Sequence, residues 1–99
     1  MHTYRRITPI SDNPDISFNM RDSWNPMTRV ATMAADVDQN RVLCRIPMEV
    51  LQIIFNADIN EPMLAVAENR LALQAKAKTL IRNKQFEEDG SVMLQLENF

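Results

Sequence analysis

Glycine, cysteine and histidine each occur once in this 99-residue chain, as Gly90, Cys44 and His2, and each scarcity removes a class of chemistry. A phosphate-cradling loop needs closely spaced glycines, which Gly90 alone does not supply. A zinc site needs several Cys and His ligands at fixed spacing, and none exist here. A Ser-His-Asp or Cys-His nucleophile would have to recruit His2 from the end of the chain, against the geometric demands of a triad. Asp36 and Asp38 flank a turn, but without the Gly and terminal Glu of a calcium loop they read as solubilising hairpin residues. The sequence therefore points to no enzyme, no metal and no cofactor. One cysteine excludes an intrachain disulfide and fits a reducing compartment. No stretch has the apolar length of a signal peptide or a membrane span, so the expected location is the cytoplasm, with no membrane partner. No small-molecule ligand is expected either.

Charge of one sign is also missing at the level of the whole chain, with a net −2, but not locally. Between Glu61 and Gln85, five bases (Arg70, Lys76, Lys78, Arg82, Lys84) face two acids (Glu61, Glu68). From Phe86 onward, four acids (Glu87, Glu88, Asp89, Glu97) face no base. A solvated helix and a solvated tail that partly neutralise each other account for this pattern.

What is present is one long periodic run, Glu61 to Asn83. Pro62 suits a first helical position, and strong helix formers follow without Gly or Pro. A helical projection puts Met63, Val66, Ala67, Leu71, Leu73, Ala77, Leu80 and Ile81 on a broad apolar face. Upstream, residues 1–15 hold Pro9 and Pro14 and show neither period, as a flexible N-terminal arm does. Residues 16–99 form one domain. Ile16-Ser17-Phe18 alternates as a brief strand or a tether does, and Asn19 to Pro26 is turn-rich. Met27 to Ala35 predicts a strand, with Val30, Thr32 and Ala34 on one face and Ala31, Met33 and Ala35 on the other. Asp36 to Asn40 predicts a hairpin loop, with Asn40 taking the left-handed conformation in place of Gly. Arg41 to Ile46 predicts its partner strand, with Val42, Cys44 and Ile46 inward. A short, largely buried helix runs from Pro47 to Phe55, with Glu49 complementing its N-terminal dipole. After the long helix, Glu88-Asp89-Gly90 predicts a turn and Ser91 to Leu96 a last strand. The fold class expected is α+β, a small antiparallel sheet in the order β-β-α-α-β with two helices on one face.

These marks resemble the small bacterial proteins of domain-of-unknown-function family 1488. Phe18 and Trp24, Val30 with Ala34, Cys44-Arg45-Ile46, Glu49, Leu51 and Phe55 carry the likeness. Asn69-Arg70 and Asp89-Gly90-Ser91-Val92 complete it, so that it spans Ile16 to the C-terminus. Thr32 stands where an aromatic is expected, and the first hairpin lacks its usual Gly. The resemblance implies a compact α+β domain and brings no activity, substrate or cofactor.

Three residues stand out as binding or interface candidates. Arg70 projects inside the apolar sector of the long helix. A guanidinium there either braces the fold, with Glu49 or Asp22 as partner, or binds an anion or partner at a groove floor. Trp24, in a turn-rich segment, either caps the core or anchors an interface. Met33, with Met20 and Met27, is either packing filler or part of an adaptable contact surface. Cys44 reads as a small buried residue, although the Pro47 helix start nearby is the kind of neighbour that activates a thiol. The expected function is a non-enzymatic protein-interaction or regulatory module whose partner is another protein or a second copy in a homodimer. The alternative is weak nucleic-acid binding through Arg5, Arg6, Arg82 and Lys84, although the bases of the long helix point in several directions.

Overall fold

The computed structural model describes residues 10–99. Five strands come first to last as β1 (Ile16–Phe18), β2 (Ser23–Asn25), β3 (Val30–Val37), β4 (Asn40–Pro47) and β5 (Val92–Met93). Three helices, α1 (Met48–Phe55), α2 (Pro62–Glu68) and α3 (Arg70–Arg82), lie between β4 and β5, and a short 3-10 turn at Leu96–Asn98 follows. The expected α+β class is what forms.

Long β3 and β4 are the centre of one sheet. Both β1 and β2 pair antiparallel with the same edge of β3, at its two ends. On the far side β5 pairs with β4, and here the expectation of an all-antiparallel sheet fails because β5 runs parallel to β4. The reason is the connection. Three helices cross over between the two strands, and a crossover returns the chain to the sheet in its original direction. The last strand is also shorter than the predicted Ser91 to Leu96, since Gln95 and Asn98 form a reciprocal capping box that turns the chain away. Leu94 still donates its N–H to the Arg45 carbonyl at 2.8 Å and is fully buried.

Strand alternation decides which face is inside. Ala31, Met33, Ala35 and Val37 of β3 join Val42, Cys44 and Ile46 of β4, as expected for β4. Val50 and Leu51 of α1, Val66 of α2, and Leu73, Ala77 and Ile81 of α3 close over them. On the opposite face Val30, Thr32, Leu43 and Arg45 are half-buried and Ala34 is buried, and none of the five belongs to the core cluster. In α1, Ile53 and Ile54 are exposed, so that helix is buried on one side only.

The predicted long helix is two. At Asn69 the backbone leaves helical geometry (φ −116°, ψ 23°), and its side-chain Nδ2 donates to the Ala65 carbonyl at 2.8 Å. Seven residues separate Val66 from Leu73, about two turns, so both still face the core across the break. Leu71 does not. It lies two positions before Leu73, roughly 200° away around the helix, and is 83% exposed.

The β3–β4 turn is the tight two-residue kind, with both Asp38 (φ 48°) and Gln39 (φ 70°) in the left-handed region, so Asn40 is not the residue that stands in for Gly. Asp38 is compensated. Its carboxylate accepts from the Asp15 N–H (3.0 Å), the Ser11 N–H (3.0 Å) and the Ser11 hydroxyl (2.8 Å), and these bonds favour the ionised form and hold its pKa below the ordinary carboxylate range. The same bonds tie residues 10–15, expected to belong to a flexible arm, onto the hairpin, where Pro14 is buried and Ile10 packs against the core. Among the described residues Gln39 shows no such compensation. Gln39→Gly is expected to raise stability by about 1 kcal/mol, the usual strain of a non-Gly residue in this conformation. A urea titration showing no gain would mean that the turn relaxes the strain elsewhere.

Candidate interaction site around Trp24

Trp24 owes its position to the turn that follows it. The Asn25 side-chain oxygen accepts from the N–H groups of Met27 (2.9 Å) and Thr28 (3.2 Å), and the Asn25 carbonyl accepts from Arg29 N–H at 2.8 Å. Arg29, in the left-handed region (φ 58°), then sends the chain back along β2 as β3. Trp24 pairs with Ala31 on the core side of the sheet and is half-buried against the core.

A brace holds this short edge strand in place. Arg70, the first residue of α3, donates from Nη1 to Oδ2 of Asp22, the residue before β2. The two side chains are 21% and 10% exposed, so the pair is largely withdrawn from water. Of the two partners named for Arg70, Asp22 is the one in contact, whereas Glu49 is exposed.

Between β2 and the start of α2 lies a groove of about 540 Å³, lined by Trp24, Pro26, Arg29, Ile59, Met63 and Leu64 among others. Ile59 and Leu64 are exposed, and Met27, in the loop between Pro26 and Arg29, is 89% exposed. Large apolar side chains thus surround a half-buried tryptophan, the composition of a contact surface.

Other candidates fall elsewhere. Met33 is 1% exposed and belongs to the core, so it is not on offer to a partner. The alternation of β3 decides this, since Met33 shares the inner face with Ala31 and Ala35. Arg82 is exposed, and Lys84 is exposed but bridges Asp12 at 2.9 Å. Arg5 and Arg6 lie outside the described residues. Cys44 is buried, and burial pushes its thiol up to about 12, away from the range of a reactive thiolate. Among the described residues no three His, Cys, Asp or Glu side chains gather to hold a metal ion.

Reading the sequence missed Arg45, Arg29, Ile59 and Leu64 as site residues. Arg45 lies on the outward face of β4, where its Nη2 meets Asp89 Oδ2 at 3.3 Å. The Ser91 hydroxyl (2.6 Å) and N–H (2.9 Å) donate to the other oxygen of Asp89, and with Arg45 they hold its pKa below the ordinary carboxylate range. Arg45's outward alternation was legible, but its neighbours depended on the register. Ile59 and Leu64 carried no signal, because an isolated apolar residue near a helix start is ordinary.

With this geometry in hand, the comparison with known proteins is direct. Residues 16–94 match the family described as "Protein of unknown function (DUF1488)", and the chain belongs to that family. A crystal structure of a DUF1488 protein of unknown function from Shewanella loihica PV-4, at 1.60 Å resolution, is similar to it with a TM-score of 0.75. That likeness covers 83% of this chain and 93% of the other at 18% identity, and it shows the shared fold. No curated protein matches the chain.

Proposed function

We propose that the protein is a non-enzymatic interaction or regulatory module that docks a protein partner in the groove beside Trp24, a second copy of the chain being the first partner to test. The observation that carries this reading is the exposure of Ile59 and Leu64 in the lining of that groove, with exposed Met27 in the adjoining loop. Removing a few hundred Å² of such surface from water, at roughly 25 cal/mol per Å², supplies useful association energy before ordering costs are deducted. The absence of closely spaced glycines, paired cysteines and a second histidine supports a binding role over a catalytic one. Among the described residues no helix is long and apolar enough to cross a membrane, and the lone cysteine favours a cytoplasmic setting.

Sedimentation over a range of concentrations is expected to show self-association that Leu64→Asp weakens while leaving the melting temperature unchanged. Leu64 is the residue of choice because its exposure uncouples binding from folding, which a change at buried Met33 would not do. A strictly monomeric protein that captures no cellular protein but retains DNA or RNA in a salt-sensitive way would transfer the function to nucleic-acid contact through Arg5, Arg6, Arg82 and Lys84.

A further inference from the structure

A second groove, of about 590 Å³, lies on the face of the sheet away from the core cluster, and no helix residue is in its lining. Strand register builds its floor. Ser23 pairs with Thr32, Thr32 with Arg45, and Arg45 with Met93, so one row crosses β2, β3, β4 and β5. All four residues line the groove, as do Thr28 and Trp24. Its lining includes no carboxylate, and Arg45 is its only charged residue.

The guanidinium of Arg45 is incompletely used. Arginine presents five N–H donors in a fixed fork. Asp89 engages Nη2 at 3.3 Å, longer than a strong charge-assisted bond of about 2.8 Å, and Asp89 is itself shared with Ser91. Arg45 Nε is buried and has no acceptor among the described residues. The Arg45 side chain as a whole is 38% exposed, so the rest of its fork is within reach of a ligand in the groove.

We propose that this groove binds a small oxyanion, a carboxylate or a phosphate ester, with Arg45 as its charge partner and the Thr32 and Ser23 hydroxyls as further donors. Val30 and Met93 supply apolar wall for a ring or short chain carrying that group. The site is separate from the interaction surface and stands or falls without it. Trp24 contributes to both grooves, but the anion site is on the outer face of the sheet and requires no partner protein.

Trp24 is the only tryptophan and therefore a built-in reporter. Titration with phenyl phosphate and, separately, benzoate, at ionic strength matched with sodium chloride, is expected to change its emission saturably. The tighter of the two identifies the anion class. Arg45→Lys keeps the charge but loses the fork, and is expected to weaken binding roughly tenfold. Thr32→Val is expected to weaken it several-fold. Should Arg45→Lys fail to fold, amide shifts of the native protein take its place, and they are expected to concentrate at Ser23, Thr32, Arg45 and Met93. No saturable response to either anion up to about 10 mM, beyond the weak end of specific binding, would overturn the proposal. So would a response that chloride reproduces, that survives Thr32→Val unchanged, or that maps elsewhere.

Discussion

Arg70→Ala is expected to destabilise the domain by about 3 kcal/mol, the lower end for stranding one member of a buried ion pair. The Arg70 and Asp22 side chains are only 21% and 10% exposed. At those values Asp22 keeps little of its hydration, and without Arg70 it would sit as an unpaired charge beneath β2. A fully exposed pair would contribute only about 0–1 kcal/mol, so the size of the loss separates the two cases. The consequence should also be local. Arg70 ties the start of α3 to the residue before β2, so Trp24 should become more exposed and its emission should shift to the red. Removing the pair as a whole, with Arg70→Met and Asp22→Leu together, should recover much of the lost stability, because neither charge is then left alone. Urea titration measures all three. A loss below about 0.5 kcal/mol for Arg70→Ala, typical of surface sites, would release Arg70 from structural duty and return it to the pool of binding residues.

Deleting Ser91 to Phe99 is expected to abolish cooperative folding. Val92 and Leu94 are both fully buried, and each such side chain contributes on the order of 1.5–3 kcal/mol. Their loss would also open the β4 edge at Cys44 and Arg45, where β5 pairs and where Leu94 N–H finds its acceptor. Phe99 adds a further contact. Its ring stands edge-on to Phe55 at 5.5 Å, with the Lys76 ammonium 5.4 Å from its centre. Against a total stability typically of about 5–15 kcal/mol, these losses together are too large to absorb. A truncated protein with a sharp melt at the parent temperature would show that β5 is dispensable.

Local rules read off the sequence decided a good deal. The alternation of Val42, Cys44 and Ile46 specified the inner face of β4, because side chains on a strand point to opposite sides in turn. Pro62 marked the start of α2 through its tolerance for a missing N–H, whereas Pro47 ends β4 and precedes α1 as its extended N-cap. The family marks at Trp24, Cys44-Arg45-Ile46, Asn69-Arg70 and Asp89-Gly90-Ser91 likewise identified the α+β domain. What only the tertiary structure decided are relations between distant segments. Periodicity says which face a residue occupies but not which residue lies beside it across a strand or a helix junction. The direction of β5 followed from the helical crossover, and the choice of Asp22 over Glu49 followed from where β2 docks. Placing Met33 inside required knowing which face of β3 the helices cover. The row Ser23, Thr32, Arg45 and Met93 joins four strands whose register is set by turns and by a crossover, so no single stretch of the chain contains it.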